Sequence, residues 1–513
     1  MVSSTHQSST GLGWVVQKFG GTSVGKFPDK IACDIVRPSL SRDRVVVICS
    51  ARSTGKKAEG TTSRLLGVYS KLRGFAPASA AKFKDDAEND SEALIEQARG
   101  LIKDICTDHV SAAESYIRDD SLRKSLVVKT EAECQELTEY IVAARRFNLE
   151  INSRSKDRVI SFGEKLACLF MTALLQDSGV EAEYVDLCDV LHYDASAHLD
   201  AGFYKAAATA FAQKLLACEE RVPVVTGFFG NVPGSLIDGD IGRGYTDLCA
   251  ALCAVGVGAR ELQIWKEVDG IFTADPTKVP TASLLPSITR AEAAELTFYG
   301  SEVIHHLTMD MVNRPQPPIQ IRIKNVKNPR GNGTIVIPDP VRPHGQQQAA
   351  PPQPSNTPKR PTAMTIKDHI SVINIHSNKR SISSPAFFAR IFSILDKNSI
   401  SVDLISTSEV HVSLAIHSGS THFDAFTRAI DSLEECGDVS VLSKMAILSL
   451  VGAGMKNMIG VAGLMFSTLG EHNINLEMIS QGASEINISC VIDSRDATRA
   501  MNVLHTHLFT FLE

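Results

Sequence analysis

The segment VVQKFGGTSVGK, Val15 to Lys26, decides how this chain is read. A β-branched run ends at Lys18, and a glycine pair with two hydroxyl residues follows at once. That order predicts a strand feeding a tight, donor-rich turn. Glycine lets backbone N–H groups approach oxygen closely, and a lysine at the strand end adds a fixed positive charge, so the turn suits a phosphoryl group. Gly20 to Lys26 also satisfies most of the Walker A pattern. Phe27 stands where that pattern needs a hydroxyl for Mg2+, and Lys18, ahead of the glycines, is the better-placed cation. The P-loop reading is therefore disfavoured.

Working outward, short apolar runs at Val45–Ile48, Val159–Ser161, Val222–Val225 and Leu262–Trp265 predict buried strands. Helical patterns at Lys165–Leu175 and Asp247–Val255 follow two of them. The alternation predicts an α/β layered sheet with helices on both faces. Glu88 to Leu149 is helical in pattern, with Leu94, Ile95, Ala98, Leu101, Ile102 and Ile105 on one apolar face, and reads as a structural excursion. From Pro338 to Pro361 proline and glutamine dominate and large apolar residues nearly vanish, which predicts an exposed linker. Beyond it lies an internal repeat. IFSIL (Ile391–Leu395) answers MFSTL (Met465–Leu469), and ISVDLIS (Ile400–Ser406) answers INLEMIS (Ile474–Ser480). Each copy has the order of a small βαββαβ ligand-binding module.

The 513 residues exceed one core, and 43% hydrophobic with 21% charged residues describes an ordinary globular protein. A net charge of −6 argues against a general nucleic-acid or membrane-surface role. Eleven cysteines without a CxxC pair fit a reducing cytoplasm, and Cys249 and Cys253, one helical turn apart, read as core rather than metal ligands. No dedicated metal cage is apparent, neither a secretory nor a mitochondrial address shows at the N-terminus, and no apolar run reaches membrane-spanning length.

Four further clusters carry polar chemistry. Ser50, in CSARS, falls in the loop after a strand, where open α/β sheets bind ligands. Thr61, Thr62 and Ser63 precede an apolar run, as a hydroxyl cap would. Glu164, in SFGEKL, reads as the first turn of a helix straight after a strand, where the helix dipole alone favours an acid. Thr226 to Asp247 is a long glycine-rich loop that closes with Arg243 and Asp247, either an anion clamp or an ordinary surface turn. Lys266, Glu267, Phe272 and Asp275 mark a loop able to cover a purine and its ribose.

KFGGTSV (Lys18–Val24), the serine–threonine cluster, GEKL (Gly163–Leu166), GRGYTD (Gly242–Asp247), DGIFTADP (Asp269–Pro276) and GSEVIHHLTM (Gly300–Met309) stand in the order found in aspartate kinases. The chain resembles that branch of the amino-acid-kinase fold, and the helical excursion resembles its fungal members. SVDLISTSE (Ser401–Glu409) is similar to the effector-loop signature of the family's tandem ACT domains. His306, where a proline is usual, and an insertion at Arg314–Pro318 depart from the pattern.

The resemblance implies a catalytic domain at 1–337, a linker at 338–363 and ACT domains at 364–440 and 441–513. It implies transfer of the γ-phosphoryl of ATP to the β-carboxylate of L-aspartate, with Mg2+ held through the nucleotide phosphates. Lys18, Gly20, Gly21 and Asp247 then take catalytic roles; Ser50, Thr62, Glu164 and Arg243 bind the amino acid. Lys18, Thr22, Ser23, Lys266, Glu267 and Phe272 face the nucleotide. Ser401, Val402, Asp403, Thr407, Ser408 and Glu409 surround an effector, expected to be L-threonine, in a homo-oligomer joined through the ACT domains. Another carboxylate or carbamate kinase on this fold, and a catalytically silent amino-acid sensor, remain as rivals.

Overall fold

The computed structural model describes residues 12–55, 60–74, 84–147, 149–191, 198–230, 232–239, 241–242, 244–301, 304–339, 360–377, 384–418, 423–455, 458–482 and 486–510. Two compact units result. The first holds Met1–Gly270 with Ile304–Ile337, the second Ile271–Val303 with Pro338–Glu513. The sequence expectation kept 271–303 with the catalytic domain, whereas those residues pack into the second unit.

The first unit is built on strands β1 (Trp14–Phe19), β2 (Arg44–Cys49), β3 (Ala182–Val185), β4 (Val222–Thr226) and β5 (Glu261–Lys266), numbered along the chain. β6 (Ser287–Thr289) lies in the second unit, and β7 (Gln320–Asn325) and β8 (Thr334–Ile337) complete the first. Their order is β3-β4-β2-β1-β5-β7-β8, parallel throughout except for the last pair. The central strands are apolar on both faces: all of Val45–Cys49 is buried. Such runs must be covered twice.

Helices α1 (Gly21–Lys26), α2 (Arg37–Ser39), α3 (Thr61–Arg73), α4 (Lys84–Tyr116), α5 (Asp120–Arg146), α6 (Ser153–Asp177), α7 (Ala201–Leu216) and α8 (Tyr245–Val257) supply the cover, with α10 (His306–Asn313). α6 packs its Cys168, Phe170 and Leu175 with Phe19, Val45, Val47 and Val224 of the sheet. Outside it, α3, α4 and α5 share a second core of Leu65, Ile102, Ile105, Leu137 and Ile141 with α6 residues Val159 and Phe162.

Two local expectations are corrected here. Val159–Ser161 is not a strand but part of α6, and Glu164 lies inside that helix rather than at its start. Asn152 caps it: Asn152 Oδ1 accepts from Arg154 N (3.0 Å) and Ser155 N (3.2 Å). A helix buried on all sides shows no polar stripe, so a short apolar window within it cannot be told from a strand. Thr61 opens α3 behind Gly60, an N-cap that makes no side-chain cap bond. α6 is long and apolar enough to cross a membrane, but 83% of its apolar window is buried in the unit's core.

In the second unit a six-stranded antiparallel sheet runs β10-β11-β9-β12-β14-β13. Its strands are β9 (Ala363–His376), β10 (Leu404–Thr407), β11 (His411–His417), β12 (Asp438–Val451), β13 (Met478–Ser480) and β14 (Asn487–Asp493). The repeat forms two helix-backed halves, and they interleave. The C-terminal part of β9 pairs with the start of β12, for example Ile373 with Val441. The N-terminal part pairs instead with the end of β12, Met364 with Leu450. Helices α11 (Ser384–Lys397) and α12 (Phe423–Glu434) cover the first half; α13 (Val461–Glu471) and α14 (Ala497–His505) cover the second. Met364 and Ile366 join the core of α13 and α14, so the second half borrows its last strand from ahead of the first. A boundary at 440/441 therefore does not divide the halves. His369 and Lys444, at φ 60° and 62°, mark where the two long strands change partners.

The segment 271–303 is sewn to this half. Glu292, on α9 (Arg290–Phe298), accepts from Thr362 Oγ1 (2.6 Å) and Ala453 N (2.7 Å). Thr273 joins in too: its carbonyl oxygen accepts from Met364 N at 2.8 Å.

Candidate active site

The first unit brings four strand ends together at one edge of its sheet. β1 ends in Lys18-Phe19, and the register sets Lys18 between Ile48 of β2 and Ile264 of β5. Cys49 in turn faces Thr226 of β4. The loops after these strands are thus neighbours at the carboxyl edge, where doubly covered parallel sheets take ligands.

Gly20 is extended and α1 begins at Gly21 with no side-chain cap. Lys26, the decoy Walker lysine, is exposed on that helix. Gly21 is required by the neighbouring loop: a Cβ there would sit 2.1 Å from Ala51 O. Ser53 N donates to Gly21 O at 3.0 Å and Ser50 N to Phe19 O at 3.1 Å, which ties the Ser50–Ser53 loop to the turn.

Lys18 Nζ meets Asp247 Oδ1 at 2.8 Å, and both side chains are nearly buried. Asp247 stands in the first turn of α8. Burial pushes its carboxyl up, but Lys18 first, then Lys266 and His305, outweigh that and hold it below the usual range. Glu164 rises from α6 beside this pair, 1% exposed. Thr246 Oγ1 donates to Glu164 Oε1 at 3.1 Å. Burial drives its carboxyl up to about 7, and Tyr245, Thr246, Lys18 and the Phe228 backbone pull it down only in part. Gly227 lets α8 close over this acid, since a Cβ would lie 2.3 Å from Thr246 Cγ2 and 2.9 Å from Glu164 Oε2.

Of the other expected residues, Ser50 is half-buried in this edge and Thr62 is exposed, while Thr61 beside it is the buried hydroxyl. Arg243 lies outside the described residues. Thr22 is half-buried in α1. Ser23 is fully buried, and its hydroxyl donates to Glu267 Oε1 at 2.6 Å, so those two residues brace one another. Lys266 belongs to the cluster through its field on Asp247. Phe272 falls in the second unit, bridged to Leu284. Among the described residues no group of three histidine, cysteine or acidic side chains could hold a metal.

Two contributors escaped the sequence reading. His305 packs on Gly244, whose φ of 99° only glycine adopts easily, and donates from Nε2 to Ile241 O at 3.0 Å. Burial, then His306, lowers the pKa of His305, against the opposing effects of Ile241 and Asp247. His306 itself is exposed. Asp157, fully buried on α6, accepts from Ser235 Oγ (3.0 Å), Leu236 N (2.6 Å) and Ile237 N (3.1 Å) and so orders the glycine-rich loop. GSEVIHH drew notice only as a motif, and an aspartate inside a helix carries no local signal.

In the second unit Ser401 and Thr407–Glu409 are exposed, and Val402 and Asp403 are half-buried. Asp403 pairs with Lys367 Nζ at 2.8 Å, and that ammonium lies 4.9 Å from the ring of Phe298.

The amino acid kinase family model matches residues 13–325, and an ACT domain model matches 448–508. An aspartate kinase of Gibberella moniliformis is 54% identical, covering 97% of this chain and 98% of its own length. The aspartokinase of Schizosaccharomyces pombe is 50% identical over 97% of this chain and 93% of its own. Among solved structures, Escherichia coli aspartokinase III in complex with aspartate and ADP superposes with a TM-score of 0.69 at 26% identity, covering 96% of this chain and 99% of that one. Matched end to end in this way, the chain belongs to the amino acid kinase family, as an aspartate kinase with a C-terminal ACT domain.

Proposed function

We propose that the enzyme transfers the γ-phosphoryl of ATP to the β-carboxylate of L-aspartate, the first step towards threonine and methionine. The observation that carries this reading is the nearly buried Lys18–Asp247 pair beside buried Glu164, all at the carboxyl edge of a parallel sheet. A carboxylate with a pKa of ~4 is already ionised at neutral pH, so the nucleophile needs no general base. What remains is alignment of two anions and neutralisation of their repulsion. One β-carboxylate oxygen bonds to the γ-phosphorus as the bond to the β–γ bridging oxygen breaks, and ADP departs.

Lys18 would face the migrating phosphoryl, with Gly20, Gly21 and Thr22 offering donors. Asp247 aims Lys18 through the ion pair between them. Mg2+ would ride on the nucleotide phosphates, as a cation that binds through substrate phosphates rather than an all-protein cage does. Glu164 would hold the substrate ammonium, Arg243 the α-carboxylate, and Ser50 and Thr62 would add hydroxyl contacts. Lys266 lies on the nucleotide side; Glu267 and Ser23 brace that loop, and Phe272 is carried as a nucleotide contact by resemblance alone.

The Ser401–Glu409 loop, with Val402, Asp403, Thr407 and Ser408, would bind an inhibitory amino acid, and the full likeness to fungal enzymes favours L-threonine. The E. coli relative has also been solved with lysine and aspartate. The first half of the six-stranded sheet would be a second ACT module, the protein a cytoplasmic homo-oligomer. Aspartate-dependent ADP release, run with glutamate as rival substrate and with threonine or lysine added, tests the reading. Turnover that does not depend on aspartate removes it.

A further inference from the structure

Arg52 lies two residues past Ser50, in the loop that leans on the Gly20–Gly21 turn, and it is 5% exposed. Its guanidinium is held on helix α4: Nη1 donates to Asp108 Oδ2 at 2.7 Å and to Asp108 O at 3.3 Å. The same group sits 5.7 Å from the ring of Phe170 on α6. The backbone of Arg52 is held as well: Thr61 N donates to Arg52 O at 3.3 Å. Both neighbours of Arg52 are in turn fitted closely. Ala51 touches the space of Gly21 and Gly163, and Ser53 is bonded to Gly21.

Beside this link stands His109, 2% exposed, both ring nitrogens without a hydrogen-bond partner. Burial, then Arg52 and Arg64, hold it neutral, down to about 3. A neutral imidazole adds no third cation, so the Asp108 carboxylate serves Arg52 undivided. An arginine placed this deep would be costly without its acid.

We propose that Arg52 is a positioning residue for phosphoryl transfer, clamped by Asp108 so that the helical layer of α4 sets where Ser50 and the glycine turn stand. The excursion between Glu88 and Leu149 is then part of the active site's frame. The inference rests on the Lys18-centred reading and adds to it a support that touches neither substrate.

The experiment compares Arg52→Gln, Arg52→Lys, Asp108→Asn and the Arg52→Gln/Asp108→Asn pair in the full-length enzyme, with Lys18→Ala as reference. Turnover, both KM values and melting temperature are read for each. Arg52→Gln should lower kcat about thirtyfold and raise the aspartate KM about tenfold with the ATP KM within twofold, because Ser50 is displaced. Asp108→Asn should do the same to a lesser degree, and the double variant should be no worse than Arg52→Gln alone. Arg52→Lys, which keeps a cation for Asp108, should recover most of the aspartate KM. Wild-type kcat and aspartate KM in a folded Arg52→Gln enzyme overturn the proposal. So does a fall in kcat with both KM values unchanged, the mark of lost active fraction, or additive single effects. If Lys18→Ala itself retains turnover, the site reading fails, and that result is distinct from any of these. Should Arg52→Gln not fold, the Asp108→Asn and Arg52→Lys arms decide alone.

Discussion

Two of the lysine–aspartate pairs among the described residues share one length and differ in their surroundings. Lys18–Asp247 and Lys367–Asp403 both close at 2.8 Å, and all four side chains are at most 18% exposed. Around the first gather Lys266 at the end of β5, His305 ahead of α10 and the buried Glu164 of α6, at the carboxyl edge of a parallel sheet. Around the second stand the ring of Phe298 and an exposed polar loop on an antiparallel sheet. The lesson is electrostatic. A pair among further cations has a field that suits an anionic ligand, whereas the second pair, with His417 beside it, borders an exposed loop whose acid a competing ammonium could claim. Buried pairs add little net stability, so neither needs to be explained as a fastening.

The comparison is broken most severely at its first member. Lys18→Ala should lower kcat by about a thousandfold while the proposed effector, L-threonine, binds as it does to the unaltered enzyme, measured by ADP release and calorimetry. Near-normal turnover would make the two pairs equivalent. Gly21→Ala should cost about a hundredfold, because the new Cβ must move Ala51 O and with it the Ser50 loop; a crystal structure of that variant would locate the shift.

Glu164 sharpens the contrast through pH. Its carboxyl, raised to about 7, protonates as pH falls through 7 and then cannot hold an ammonium. The aspartate KM should therefore rise about tenfold from pH 8 to pH 6, and Glu164→Gln should show a high KM that is flat over that range. Stability runs the other way. The folded protein takes up this proton more readily than the unfolded chain, so the penalty for the buried charge builds as pH rises from the ordinary value of 4.5 to about 7 and is level above that. Glu164→Gln should gain at most about 3 kcal/mol at pH 8 and almost nothing at pH 4, by chemical denaturation.

The smallest effect belongs to the second pair. Lys367→Ala should shift the half-inhibiting concentration of the proposed effector, L-threonine, about fivefold and leave turnover without effector within twofold. A change in turnover without a change in threonine response would place Lys367 in the fold alone.

Much of the molecule was legible in order, less in position. VVQKFGG declared its strand and turn, and the IFSIL and MFSTL copies declared a duplication, because period and composition act over a few residues. Val159–Ser161 misled for the same reason: inside a helix buried on every side, the polar face that reveals a period is absent. His305, Asp157 and Arg52 stayed hidden because each acts on a partner far away in sequence, and nothing beside them says so.

By itself the sequence determined the kinds of element, the phosphate-friendly turn, the repeat and the family that these announce. Only the tertiary structure decided that β9 serves both halves of one sheet, that 271–303 packs with the second unit, and that Asp247 meets Lys18 while Asp108 meets Arg52. Local preference is set by the geometry of neighbouring residues. A pairing across the chain is set by which buried surfaces close on one another, and that is a property of the packed whole.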